Sequence, residues 1–330
     1  MPVAHVGSGT YEPLQLLPLA VAAVAYALRC RTLAGRGKPV PVWRQASFAS
    51  GVALVLVALV SPVAHLGEEL LVAHMAQHLV IGDLAALLIV LGLTGPLLQP
   101  LLSLRGLGWL RALFHPLVAL PLWLANFLVW HIPALYQGAL TSEPLHALEH
   151  ACFFGAGIAM WMGLLGPLPK PAWFDNLGRL AYVIVVRFAG AALGNAFMWS
   201  GAVFYPDYAP GQASWDISPL ADQGAAGVVM TFEQGLVTLG LFTWLFFRWA
   251  SESEQRQRLL DLAHERGVPL DEARAGRAVA AGQGELLEKR LRSESPETPP
   301  RRTRERASKA AGYVSASERE RSTRSENDVS

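Results

Sequence analysis

Residues 70–92 read LLVAHMAQHLVIGDLAALLIVLG, and their only formally charged side chain is Asp83. A helix needs about 20 mostly apolar residues to cross the hydrocarbon core of a bilayer, which is about 30 Å thick. This stretch is long and apolar enough to do so. It therefore predicts a membrane-spanning helix that carries two histidines, His74 and His78, and one carboxylate.

Six further stretches share this character, which predicts an all-α polytopic membrane helix bundle of seven transmembrane helices. The seven predicted spans cover residues 13–29, 46–65, 70–92, 116–136, 145–165, 179–200 and 224–247. Several contain Gly or Pro, which membrane helices tolerate better than soluble ones because neighbouring helices satisfy the freed backbone groups.

The charged residues divide the chain into two parts. Residues 1–250 hold only 11 of the 27 Lys and Arg residues and 11 of the 26 Asp and Glu residues. A soluble domain of that size would need a more charged surface. We therefore expect a seven-helix membrane domain over 1–250 and a charged cytoplasmic tail over 251–330. Helical spacing covers 252–266 and 284–292 of that tail, and the polar sequence beyond Ser293 predicts disorder.

The whole-chain composition narrows the classes of function. The formal net charge is +1, which offers no basis for nucleic-acid binding. The two cysteines, Cys30 and Cys152, form neither a CxxC site nor a disulfide framework. The chain contains no glycine-rich phosphate loop and no GxSxG motif. We therefore expect a protein that is not an enzyme.

Loop charges predict the orientation of the bundle. Lys and Arg occur in the first, third and fifth loops and at the start of the tail, at Arg29, Arg31, Arg36, Lys38, Arg44, Arg105, Arg111, Lys170, Arg179 and Arg248. The formally charged residues of the N-terminal segment and of the other loops are all acidic. Because cytoplasmic loops are enriched in Lys and Arg, we expect the N-terminus outside and the C-terminus in the cytoplasm.

In that orientation, histidines gather near the outer face of the bilayer. His74 and His78 are four residues apart, as are His146 and His150, so each pair lies on one face of its helix. His131 is expected at similar depth, near the outer end of the fourth span. Single histidines in membrane helices usually form interhelical hydrogen bonds. Two such pairs with His131 instead favour a shared metal site.

Imidazole nitrogens suit copper, zinc and iron, and thioethers bias a site toward Cu(I). Possible supporting residues are Glu149 beside the second histidine pair, Asp222 and Gln223 as groups that orient imidazoles, and the thioethers of Met198 and Met230. Met75 is another thioether, but it points about 100° away from His74 and is expected to pack.

Three ionisable residues, Asp83, Arg187 and Glu233, lie near the middle of their predicted spans. Charges at this depth are costly and are usually paired or functional. We expect Arg187 to be held by Asp83, Glu233 or both, with a proton or ion path as the alternative.

Four segments resemble the CtaG family of multi-spanning cytochrome c oxidase assembly factors. They are HMAQHL at 74–79, WHIPALYQGAL at 130–140, LHALEHACFF at 145–154 and PLADQGAAGVVM at 219–230. The resemblance covers residues 12–250. It implies a role in assembling a heme-copper oxidase at the step that loads or holds copper, in a bacterial plasma membrane. The implied partners are oxidase subunits and other copper chaperones.

Carried over by motif, the candidate copper ligands are His74, His78, His131, His146 and His150. Two alternatives stay open at this point. One is a zinc hydrolase acting on a lipid, with Glu149 as the base. The other is a heme b protein with paired axial histidines.

Overall fold

The computed structural model describes residues 13–60, 62–104, 106–171, 173–280 and 282–293, and within these ranges the regular structure is entirely helical. The first helices are α1 (Pro13–Gly35), α2 (Val42–Val60), α3 (Pro62–Glu69) and α4 (Leu71–Leu79). A π-helical turn, Val80–Ala85, joins α4 to α5 (Ala86–Gly92). Next come α6 (Gly95–Ser103), α7 (Trp109–Leu113), α8 (Pro116–Trp130), α9 (Pro133–Thr141) and α10 (Glu143–Leu164). The remainder are α11 (Asn176–Trp199), a 3₁₀ turn (Pro206–Tyr208), α12 (Ala209–Ser214), α13 (Pro219–Glu265), α14 (Glu272–Ala280) and α15 (Gly284–Ser293).

Six helical segments within the described residues are long and apolar enough to cross a membrane. The pair α8 and α9 makes a seventh if it counts as one span, although it bends by 72°. The predicted membrane helix bundle is therefore confirmed, with six or seven spans.

The fourth predicted span, 116–136, is not one continuous helix. Helix α8 ends at Trp130, and Ile132 is extended, with φ −66° and ψ 123°. The next residue is Pro133, whose ring disfavours the helical conformation of the residue before it. The break places His131 at the C-terminal end of α8, in the bend between α8 and α9.

The predicted second span, 46–65, also runs past its helix. Helix α2 ends at Val60, and a separate short helix, α3, carries His65. Conversely, the first span was predicted to end at residue 29, whereas α1 continues to Gly35 and includes Arg31.

The centre of the bundle is formed by α10 and the segment α4–π–α5, which are the most buried spans. Small residues allow their close approach: a Cβ atom at Gly157 of α10 would overlap the carbonyl oxygen of Gly82 in the π turn. Helix α2 packs on the other side of α5 at Gly51, where a Cβ would lie 2.8 Å from the carbonyl oxygen of Ala85. Close packing of small residues is a usual source of association between membrane helices.

The chain divides into two compact units, Met1–Phe242 and Thr243–Ser330. In the second unit, the end of α13, α14 and α15 share a small apolar cluster of Leu259, Ala263, Ala275, Val279 and Leu291. Helix α14 was not predicted, whereas α15 coincides with the predicted helix at 284–292. The predicted boundary at residue 250 and the cytoplasmic side of the tail stay predictions. The predicted disorder beyond Ser293 lies outside the described residues.

Candidate metal centre

Helices α4 and α10 bring three histidines and one glutamate together. His74, His78, His146 and Glu149 each offer one ligand atom, and these four atoms lie within 4.8 Å of one another. Each helix contributes residues spaced three or four apart, so both pairs point across a single interface. His74, His78 and Glu149 are buried, and His146 is half-buried.

A backbone contact determines which nitrogen of His74 faces the cluster. Nδ1 of His74 lies 3.2 Å from the carbonyl oxygen of Gly67 in α3. Because a carbonyl oxygen only accepts, Nδ1 carries the proton and Nε2 keeps its lone pair. Nε2 lies 4.0 Å from Oε2 of Glu149. A ring nitrogen that donates to a backbone carbonyl while the other faces a shared site is the arrangement typical of metal-binding histidines.

Several buried polar atoms of the cluster have no hydrogen-bond partner within the described part of the chain. They are Nε2 of His74, both ring nitrogens of His78, Nε2 of His146 and both carboxylate oxygens of Glu149. The shortest approach of His78 to the carboxylate is 4.0 Å, from Nδ1 to Oε1. Buried polar atoms are normally satisfied, so this concentration points to an additional bound group. A cation that accepts nitrogen and oxygen ligands would satisfy one such atom of each of the four residues.

The two remaining predicted histidines take different positions. The ring of His150 adjoins the cluster, with its centroid 4.3 Å from that of His146 and 5.1 Å from that of His78. His131 lies outside the group of four ligand atoms and donates from Nδ1 to the carbonyl oxygen of Phe127 at 2.7 Å. The structure therefore does not place His131 among the ligand atoms that converge with those of His74 and His146.

Most of the chain matches one known protein family. Residues 24–252 match the family described as cytochrome c oxidase caa3 assembly factor (Caa3_CtaG). The chain belongs to the CtaG family. No curated protein and no solved structure is significantly similar to it. The predicted family is therefore confirmed, and membership implies that this CtaG protein interacts with cytochrome c oxidase.

In this CtaG protein, Asp222 orients a helix rather than an imidazole. Its carboxylate accepts the backbone N–H groups of Leu71 and Val72 at 2.8 and 3.0 Å, and Nε2 of Gln212 at 2.8 Å. It thereby caps the first turn of α4, whose N–H groups have no partner within the helix. Asp222 was expected to orient imidazoles; instead, it anchors the helix that carries two of them.

Gln223 holds the connection between α11 and α13. Its side chain accepts from the backbone N–H of Phe204 at 2.8 Å and donates to the carbonyl oxygen of Ala202 at 3.1 Å. Like Asp222, it has backbone partners where imidazoles were expected. Of the two predicted thioethers, Met198 packs against Gly227, where α11 and α13 cross closely. Met230 is buried elsewhere in the bundle, close to His131.

Three tyrosines absent from the predicted site cover the cluster. Tyr208 donates to the same Gly67 carbonyl oxygen as His74, at 3.3 Å, and its hydroxyl lies 3.0 Å from that of Tyr136. Tyr205 donates to the carbonyl oxygen of His131 at 2.9 Å. Burial raises the pKa values of Tyr205 and Tyr208 above the usual range, so both hydroxyls stay protonated. Nothing in the sequence spacing connects these three tyrosines with α4.

The three charged residues near mid-span join one buried network. Arg187 forms two contacts with the Asp83 carboxylate, and its Nη1 lies 3.7 Å from Oε1 of Glu233. Gln234 accepts from Arg187 at 3.0 Å and donates to Glu233 at 2.8 Å. Trp161 donates to Oδ1 of Asp83 at 2.9 Å. The network links the π turn with α10, α11 and α13, and its members Trp161 and Gln234 were not predicted.

Proposed function

We propose that this CtaG protein binds copper at His74, His78, His146 and Glu149 and delivers it to, or stabilises, a copper centre of cytochrome c oxidase. The observation that carries the proposal is the convergence of four ligand atoms within 4.8 Å. His150 adjoins this group and is the fifth candidate ligand.

The donor set fits copper chemically. Neutral imidazoles are good ligands for copper in either oxidation state, and one carboxylate offsets part of the charge of the ion. The atoms are buried and without hydrogen-bond partners among the described residues, so an ion replaces missing interactions rather than existing ones. The hydrogen bond from His74 to Gly67 prepares Nε2 for the ion.

The role follows from the family and from the donor set together. Membership of an assembly-factor family suggests a non-enzymatic role. Glu149 supplies the carboxylate of the candidate site and so would itself be occupied by the ion. We therefore favour binding and transfer of the ion over turnover of a substrate.

Location and partners complete the proposal. We place the protein in the bacterial plasma membrane, with the histidine cluster toward the outer face and the tail in the cytoplasm, because the loop cations alternate accordingly. The proposed partners are the copper-bearing subunits of the oxidase and other copper chaperones that supply the ion.

The two alternatives have less support. A zinc hydrolase needs a carboxylate free to act as base, and Glu149 is the only one in the described cluster. A heme b site needs space for a macrocycle between axial imidazoles. In five of the six pairs among His74, His78, His146 and His150, the ring centroids lie 4.3–6.4 Å apart, so these rings crowd one another.

The test is the copper content of the oxidase in cells. In a strain whose own gene is deleted, the wild-type protein should restore copper content and oxidase activity. The double variant His74→Ala/His146→Ala should restore neither, although it reaches the membrane. His264→Ala, in the second unit, is the matched control and should behave as wild type. Full copper loading of the oxidase by the double variant would refute the proposal.

A further inference from the structure

A small buried cavity lies beside the metal cluster, and we call it the methionine chamber. It has a volume of about 40 Å³, and its polar and sulfur-containing lining consists of Met75, His78, Asp83, His131, Met230 and Gln234. A water molecule needs about 10–15 Å³ of such volume, so the chamber accommodates an ion or a few waters. His78 belongs both to this lining and to the group of four ligand atoms.

From this lining we infer that the methionine chamber is a second copper site, selective for Cu(I), with Met75, Met230, His78 and His131 as its ligands. The inference rests on the proposed function and adds to it an oxidation state and a second position for the ion. It also gives roles to His131 and Met75, which the cluster of four does not use.

Thioethers indicate the oxidation state. Met75 and Met230 are each 2% exposed, and they come from different helices, α4 and α13. Thioether sulfur is a soft ligand and favours Cu(I) over zinc or Cu(II). Met75 follows His74 directly, so the helix turns its side chain by about 100° from that of His74. That rotation takes it out of the cluster and into the lining of the chamber.

The imidazoles of the chamber are available to an ion. His78 is 6% exposed, and neither ring nitrogen has a hydrogen-bond partner among the described residues. His131 has its Nδ1 proton committed to the carbonyl oxygen of Phe127, which leaves the lone pair on Nε2. Phe153 packs against both rings, with centroids 4.5 Å from His78 and 5.9 Å from His131.

Charge favours a monovalent ion in the chamber. The one carboxylate of its lining, Asp83, is already neutralised by Arg187 and accepts from Trp161. The four proposed ligands are therefore neutral, provided that His78 binds one ion at a time through one ring nitrogen. Because a buried charge is costly when it has no counterion, a singly charged ion is better tolerated than a doubly charged one.

X-ray absorption at the copper edge tests the inference. The full-length protein, purified and loaded with Cu(I) without oxygen, should show sulfur among the copper ligands. The double variant Met75→Leu/Met230→Leu should lose that sulfur signal and about half of its bound copper, as expected for one of two sites. Met-to-Leu substitutions nearly conserve volume, so the fold should persist. Met160→Leu, another buried methionine outside the chamber, is the matched control and should keep the sulfur signal.

A reciprocal variant separates the two proposals. His74→Ala/His146→Ala leaves all four chamber ligands in place and should retain sulfur-coordinated copper. Copper bound by the wild type with nitrogen and oxygen ligands alone would overturn the chamber and leave the proposed function intact. A wild type that binds Cu(II) but no Cu(I) would overturn the chamber alone, and one that binds neither ion would overturn both.

Discussion

Replacement of Arg187 by leucine should destabilise the membrane domain more than any other single loss of charge in it. The guanidinium makes two contacts with Asp83, a 3.0 Å hydrogen bond to Gln234 and an ion pair of 3.7 Å with Glu233. Arg187→Leu removes all of these and leaves two buried carboxylates without a cation.

The expected loss of folding free energy follows from the contacts that Arg187→Leu removes and from those that remain. Loss of one partner from a buried ion pair costs about 3–5 kcal/mol of folding free energy. After the substitution, Asp83 keeps its hydrogen bond from Trp161 and Glu233 keeps that from Gln234, so the cost stays in this range. For a domain of this size, 1 kcal/mol shifts Tm by about 2–4 °C. The expected decrease in Tm is therefore roughly 6–20 °C.

Thermal unfolding followed by circular dichroism in detergent or nanodiscs measures this decrease. Arg111→Leu removes a cation from an exposed position on α7 and serves as the control. Asp83→Asn leaves Arg187 its contacts with Glu233 and Gln234 and should cost less. The double variant should cost less than the sum of the two single variants, because they remove shared contacts. An Arg187→Leu protein as stable as the control, or strictly additive costs, would refute the role of Arg187 in this network.

Three further outcomes are expected. Glu149→Gln removes the one carboxylate among the four candidate ligands and should weaken copper binding roughly 10- to 100-fold, measured by competition with a chelator. An unchanged copper affinity would show that Glu149 is not a ligand. Gly157→Ala forces a Cβ onto the π turn and should lower the free energy of unfolding by about 1–3 kcal/mol, as measured by thermal unfolding. Gly155→Ala, which has open space around it, should leave that free energy unchanged. Equal stability of the two variants would contradict the close packing at Gly157. Burial, and then repulsion from Arg179, lowers the pKa of Lys170 from 10.5 to about 8, so its charged form opposes folding. Folding stability should therefore rise between about pH 8 and 10.5 in the wild type but not in Lys170→Met, and parallel pH profiles would contradict this.

The sequence predicted the membrane helices because hydropathy reports directly on the solvent of a segment. The bend at His131 also has a signal in the sequence, because Pro133 disfavours a helical conformation at Ile132. The π turn at Val80–Ala85 was not visible, because one extra residue in a helix leaves no mark on composition. Asp83, which belongs to the network of Arg187, lies within this turn.

Part of the candidate site was predictable from the geometry of a single helix. The four-residue spacing of His74 and His78 fixes a common helix face, whatever helix lies opposite. That α10 lies opposite, and brings His146 and Glu149, depends on close packing of Gly157, which a single sequence does not reveal. The partners of Asp222 and the tyrosine cover come from tertiary contacts between segments that lie far apart in the chain. The periodicity of a single helix does not reveal such contacts, so they were missed or assigned other partners.

The prediction that His131 shares one site with the other histidines depended on its expected depth near the outer end of the fourth span. Once α8 ends at Trp130, the depth of His131 no longer implies proximity to His146. The structure instead associates it with Met75 and Met230 around the methionine chamber. Whether these residues and the cluster of four ligand atoms hold copper stays a prediction.

Anomalous X-ray scattering at the copper edge, from crystals of the full-length protein loaded with copper, tests the central claim most directly. We expect a peak between α4 and α10, within coordination distance of His74, His78, His146 and Glu149. Copper located only elsewhere, with these four side chains bound to no ion, would contradict the proposed site.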